Sequence, residues 1–424
     1  MASTPATENR YTLLTASRLL DGQGNPAIEN AAVLIHEDRI ELVGSRSEVR
    51  APDGAEVTIV DYGDASILPG MVDAHTHLVS PGDGTPSDVI GQESDDILLM
   101  QAIKNARTIL HSGVTSIREN GAKNQVTFSL REGIDRGLAV GPKMTLCGRP
   151  VTITGGHMWY FGGEADGTEG VRKQVRQLIK DGADYIKIVA TGGSTITSNP
   201  LLPSYSVAEL RVATDEAHRF DRLTAAHCAS AQGVQNCLDA EVDMIVHCVF
   251  EDSTGRYEYR PDLVDRLLEA DAWVNPTLYV VQAGIERLSE RVASAGEDTP
   301  VLQEALDQRR RGLDNRMEAC GKMMEAGVKM TAGSDSPWGD YAPGEFVNEV
   351  LMLAGAGLST PEALASGMSG SADSIGMGDI SGRLVTGRSA DLLIVGGNPS
   401  RDLEALWDVI DVYQDGARVE RGVM

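Results

Sequence analysis

The chain has 424 residues, of which 42% are hydrophobic and 23% charged, and 37 basic against 62 acidic side chains leave a net charge of −25. This composition is that of an ordinary soluble globular chain and excludes collagen-like, fibrous and disordered classes. Such an acidic surface repels phosphate backbones and anionic lipids, so neither nucleic acid nor a membrane is an expected partner, and no apolar run reaches the roughly 18 residues of a transmembrane helix.

The N-terminus lacks the basic and apolar regions of a signal peptide. Residues 11–16, 31–36, 39–43 and 56–60 are β-rich runs separated by turn signals such as Asp21-Gly22 and Pro52-Asp53-Gly54. Their close succession predicts antiparallel pairing. From about residue 70, apolar strands alternate with helical patterns. The strand candidates are 72–77, 114–119, 143–147, 185–190, 223–228, 244–249, 273–278 and 328–335. Helical patterns lie between most of them, for example 95–111, 168–181, 206–220 and 302–326. Eight strands with intervening helices form the pattern of a (β/α)8 barrel.

After about residue 380 strands return, at 390–395, 409–413 and from 417 onward. Neither terminal segment can bury a core alone. The expected fold is therefore α/β: a TIM-like barrel over 69–380, and a small β domain composed of 1–68 and 381–424 together. Five cysteines, at 147, 228, 237, 248 and 320, are odd in number and irregularly spaced. They argue against a disulfide framework and for a reducing cytoplasm.

The chemistry begins at Asp73-Ala74-His75-Thr76-His77, the end of the first barrel strand. Side chains two apart on a strand share a face, so His75 and His77 both point into the barrel mouth, where such folds keep their active sites. Two imidazoles on one face suit a zinc-like metal. The fourth strand carries Lys187 among apolar residues. A buried ammonium is costly. Lys187 either pairs with a carboxylate such as Asp184, or serves as a desolvated nucleophile for a Schiff base, or takes up carbon dioxide and bridges two metals.

The fifth strand ends near His227, the sixth near His247 and the eighth in Gly333-Ser334-Asp335-Ser336. Half of the eight histidines in the chain thus fall in or at the ends of barrel strands, and chance placement is a poor explanation. Imidazoles and a carboxylate hold divalent cations, which lower the pKa of bound water to about 7. Asp335 can take the proton and pass it to a leaving group, and the set performs hydrolysis at a carbonyl or related carbon. A Schiff-base lyase needs no histidine cluster. Cys228 and Cys248 each follow a candidate ligand, and strand alternation turns them into the core.

The run Ile67-Leu68-Pro69-Gly70-Met71-Val72-Asp73-Ala74-His75-Thr76-His77-Leu78, with Gly387-Arg388-Ser389-Ala390-Asp391-Leu392 and Asn398-Pro399 in the tail, resembles the amidohydrolase superfamily. The likeness is to the branch of imidazolonepropionases, metal-dependent prolidases and ochratoxinase-like members. The resemblance implies that His75, His77 and Asp335 bind one metal and that His227 and His247 hold a second. It implies that Lys187 is N-carboxylated and bridges the two ions, with zinc, manganese or cobalt as the metal. It also implies a composite β-sandwich of the two chain ends and, often, a large symmetric homo-oligomer.

The segment Gly155-Gly156-His157-Met158-Trp159-Tyr160-Phe161-Gly162-Gly163 is similar to the loop after the third strand in prolidase-like members. His157 is then expected to contact the substrate, with Trp159 and Tyr160 lining the pocket. Arg149, like Arg118, Tyr279 and Trp338, falls near a strand end, where an arginine could bind a carboxylate. One departure stands out. Peptidase-like members carry a tyrosine two positions after the fifth-strand histidine, and here that position is Ala229. The expectation is a metal-dependent hydrolase of an amide-type C–N bond in an N-acyl amino acid, Xaa-Pro-type dipeptide or aryl amide. A carbamate, thiocarbamate or phenylurea hydrolase is the alternative, and a catalytically silent barrel scaffold the remote one.

Overall fold

The computed structural model describes residues 10–294, 296 and 299–422. Residues 1–9 of the N-terminal segment and 423–424 of the C-terminal one lie outside the described residues. The fold is mixed α/β, and eight parallel strands in two sheets occupy its centre. One sheet holds Met71–Thr76, Val114–Glu119 and Lys143–Leu146. The other holds Tyr185–Val189, Leu223–His227, Met244–Val246, Trp273–Asn275 and Lys329–Met330. The ladders do not run continuously between the sheets, but backbone bonds tie both seams. Asp184 N donates to Leu146 O at 2.8 Å and Val151 N to Lys187 O at 2.9 Å. On the other side Ala74 N donates to Ala332 O at 3.1 Å and Asp335 N to His75 O at 2.8 Å.

Most residues of these strands are buried, and the run Tyr185-Ile186-Lys187-Ile188-Val189 is buried on both faces. Helices between them bury one stripe each. Asp95–His111 starts at Ser94, whose hydroxyl accepts from Ile97 N, and Val207–His218 starts in a capping box of Ser206 and Glu209. Several strands end earlier than the sequence suggests. The sixth stops at Val246, and His247 and Cys248 follow with φ of 65° and 51°. The seventh stops at Asn275, and Leu278 opens the helix Leu278–Ser294. The eighth is only Lys329–Met330, and Asp335 lies beyond it at φ 64°. The apolar runs continue past the ladders because the core does, so composition alone overextends the strands.

Strands from both ends of the chain form one further sheet. Ala65–Pro69 pairs in parallel with Arg10–Leu19 and antiparallel with Leu392–Gly396. One apolar cluster takes Leu14, Leu19, Val33 and Ile67 from the N-terminal side and Leu392 and Ile394 from the C-terminal side. Ala65–Pro69 runs almost directly into Met71–Thr76 through Gly70, where a Cβ would lie 2.0 Å from Thr115 Oγ1. Among the described residues, no helix is long and apolar enough to cross a membrane. All five cysteines are buried free thiols.

Candidate active site

His75, His77 and Asp335 converge although more than 250 positions separate the pair from the aspartate. His75 Nε2 and His77 Nε2 each lie 3.2 Å from Asp335 Oδ1, and 3.2 Å from one another. Among the described residues these three form a cluster able to hold a metal ion. His75 is oriented from behind by Asn275. The Asn275 amide nitrogen donates to Gly333 O at 3.0 Å, so its Oδ1 accepts from His75 Nδ1 at 2.8 Å. His75 Nε2 is therefore left bare toward Asp335. Asp73 braces the turn: its Oδ1 accepts from His75 N at 3.0 Å and from Ser334 N at 2.9 Å.

His227 and His247 form a second pair, with Nδ1 and Nε2 respectively 2.9 Å apart. His227 Nε2 donates to Gly192 O at 2.9 Å, and His247 Nδ1 lies 2.6 Å from Thr277 Oγ1. The Lys187 ammonium donates to Asn120 Oδ1 at 3.2 Å. Asp184, its candidate partner from the sequence, is instead engaged by Arg131 and by Leu146 N. His157 Nδ1 lies 2.9 Å from Thr195 Oγ1, which also accepts from Met158 N at 3.1 Å.

A cavity of about 300 Å³ is walled by all four of these strand-end histidines, His157, Lys187 and Asp335, together with Ala229, Arg316 and Trp338. Trp338 packs its ring 4.7 Å from that of His77. The other expected contacts stand elsewhere. Arg149 pairs with Asp181 at 2.5 Å and donates to Asn124 O. Trp159 is exposed, and the Tyr160 ring packs on Gly91 and Phe161. Neither these three nor Tyr279 is among the described residues lining this cavity. Cys228 and Cys248 are buried in the core, Cys228 with its sulfur 3.4 Å from that of Cys237. Asn275, Thr195 and Arg316 escaped the sequence reading. Arg316 sits mid-helix in Thr299–Ala326, where nothing in the spacing points at a strand end.

Electrostatics follow from enclosure. Burial, then the Lys187 charge, depresses His75 to about 3, and burial likewise drives His227 and His247 well below the ordinary imidazole value. Burial and the neighbouring His77 bring His157 to about 3. Neutral imidazoles are the form that ligates metals. Burial opposes the charge on Asp335, but His75 and His77 hold its carboxyl well below the usual range. Burial, then Arg118, brings Lys187 down to about 8.

A walled pocket with neutral imidazoles and an ionised carboxylate belongs to the class of metal-assisted hydrolases. Residues 66–419 match the model of the amidohydrolase family, and the chain belongs to that family, which is generally metal-dependent. The chain is 26% identical to the ochratoxinase of Aspergillus niger, over 96% of its own length and 86% of that protein. Its structure matches a Xaa-Pro dipeptidase with methionine bound in the active site, with a TM-score of 0.83 and 26% identity, covering 97% of this chain and 100% of the other. Molinate hydrolase shares the fold at a TM-score of 0.77 and 18% identity, covering 97% of this chain and 95% of the other. The protein is a hydrolase acting on carbon–nitrogen bonds.

Proposed function

We propose that the protein hydrolyses an amide-type C–N bond of a small molecule, an N-acyl amino acid, a Xaa-Pro-type dipeptide or an aryl amide. The observation that carries this reading is the mutual 3.2 Å spacing of His75 Nε2, His77 Nε2 and Asp335 Oδ1 on the cavity wall. The donor set fits a divalent ion such as zinc, with manganese and cobalt as substitutes: the two imidazoles of His75 and His77, His75 held neutral, and the ionised carboxylate of Asp335. His227 and His247 fit a second ion. Lys187, desolvated and, among the described residues, hydrogen-bonded only to an amide oxygen, fits an N-carboxylated bridge between the two. We place this centre in a (β/α)8 barrel of residues 69–380, beside a β-sandwich of 1–68 with 381–424.

A metal held there supplies Lewis acidity and a nucleophilic water near neutral pH. Asp335, ionised, accepts the proton of the attacking water and returns it to the leaving nitrogen. Thr195 Oγ1 accepts from Met158 N and can donate its own proton to His157 Nδ1; in that tautomer His157, on the cavity wall, offers Nε2–H as a donor to the substrate carbonyl oxygen. Relatives named for ochratoxin and Xaa-Pro substrates support the amide reading. Ala229 favours the carbamate, thiocarbamate or phenylurea reading, since it leaves the cavity wall apolar where peptidase-like members place a tyrosine. Buried free thiols support a cytoplasmic location; the homo-oligomer rests on family resemblance alone.

The test is hydrolysis by zinc-loaded, bicarbonate-treated protein of a panel joining N-acyl amino acids and Xaa-Pro dipeptides to aryl carbamates and phenylureas, with products identified by mass. Turnover of the first group supports the principal reading and turnover of only the second the alternative. Silence on both, with metal bound, refutes both. Activity that survives chelation and is trapped by borohydride at Lys187 would indicate Schiff-base chemistry, and a protein that binds no metal would be a scaffold.

A further inference from the structure

Arg316 projects from Thr299–Ala326 into the wall of the 300 Å³ cavity and into that of an adjoining one of about 560 Å³. The two cavities also share Ser194, Val280, Val281 and Trp338. Several other arginines are paired with carboxylates. Arg149 bonds Asp181, Arg131 bonds Asp184, and Arg172 and Arg176 share Glu216. Arg316 makes no ion pair or hydrogen bond with any described residue, although burial lowers its pKa. Glu251, Asp335 and Glu349 act on it only over distance. Arg316 is half-buried, and its guanidinium borders both cavities with its donors unspent on described residues, so it is available to an anion that enters there. Its planar fork matches a carboxylate in bidentate fashion.

We propose that Arg316 is the residue that reads a carboxylate on the substrate, held at the junction of the two cavities while the scissile bond lies at the histidine cluster. This rests on the amide-hydrolase reading of the cavity and narrows it to substrates whose leaving amine is an amino acid. The apolar wall of Val280, Val281 and Trp338 then receives the amino acid's side chain. The position occupied by Ala229 needs no polar replacement of its own, because the anion partner is supplied by the helix Thr299–Ala326.

The experiment is calorimetric titration of the zinc-loaded full chain with two amine products and their decarboxylated counterparts: L-phenylalanine against 2-phenylethylamine, and L-proline against pyrrolidine. Wild type should bind at least one amino acid about 30-fold more tightly than its counterpart, the size of one buried charge-assisted contact. Arg316→Met should erase that ratio, and Arg316→Lys should keep part of it, while zinc content and melting temperature stay at wild-type values. A merely structural arginine would instead lower stability or zinc content and leave the ratio intact. The proposal is overturned if wild type shows no preference for the carboxylate in either pair, including no binding, or if Arg316→Met retains the preference. Failure of the hydrolase reading is seen separately, as absence of C–N cleavage in both carboxylate-bearing and neutral amides. Cleavage of neutral amides with Arg316→Met unimpaired removes only the role of Arg316.

Discussion

His75 binds a metal only through a bare Nε2, and Asn275 enforces that tautomer by accepting from Nδ1 at 2.8 Å. Asn275→Ala should weaken zinc affinity about 10- to 100-fold without unfolding the chain, measured by competition with a chromogenic chelator. Asp335 serves two roles in the proposed chemistry, as ligand and as proton carrier. Asp335→Asn should lower kcat by about 10²–10⁴, and metal analysis of the same preparation will show how much of that loss is loss of zinc. The histidines were legible because His-x-His on a strand has a fixed geometric meaning. Asn275 was not, because an asparagine near a strand end reads equally as a turn residue until its partner, 200 positions away, is known.

Elements set the precision with which these groups meet. His247 and Asp335 both stand beyond their strands in left-handed backbone, with φ of 65° and 64°. Such conformations cost a non-glycine residue about 1–3 kcal/mol and persist only where surrounding structure imposes them. The segment after Tyr185–Val189 supports the other side of the site, with Gly192 O accepting from His227 and Gly193 against His157. A Cβ at Gly193 would lie 2.5 Å from His157 Cδ2. Gly193→Ala should therefore push the imidazole aside and reduce kcat about 100-fold, with zinc stoichiometry unchanged in metal analysis. If kcat is unaffected, His157 does not touch the reacting carbonyl. Strand alternation does not explain the inward turn of Cys248, since it lies outside the strand at φ 51°. Its burial is a property of the turn.

Across the whole molecule, the sheet made from both chain ends is tied to the central strands by Lys143. Its ammonium lies 2.6 Å from Asp391 Oδ1 and 2.7 Å from Asp415. Asp391 is almost wholly buried. Asp391→Asn should cost about 2–3 kcal/mol, because Lys143 keeps only the exposed Asp415 as partner, and urea denaturation will report it. The interior also carries carboxyls held protonated. Burial raises Glu349 to about 8 despite N–H donors from Leu278 and Tyr279. The folded protein then retains a proton that the unfolded chain releases above about 4.5. Stability from this group is present at low pH and is lost as pH rises toward 8, by up to about 1.4 kcal/mol per pH unit. Glu349→Gln should flatten that part of the stability–pH curve, read from melting temperatures between pH 5 and 8.

The sequence by itself determined the alternation of strands and helices, the return of strands at the C-terminus, and the histidines, lysine and aspartate at strand ends. Each of these is written in local periodicity or in residue types whose burial demands a chemical partner. Only the tertiary structure decided which charges were already spent. Arg149 meets Asp181, Asp184 meets Arg131 rather than Lys187, and Arg316, without an ion-pair partner among the described residues, reaches the cavity from the middle of a long helix. The physical reason is range. Periodicity is a property of neighbours in the chain, whereas pairing and desolvation depend on atoms a few ångströms apart that can lie hundreds of residues apart in sequence.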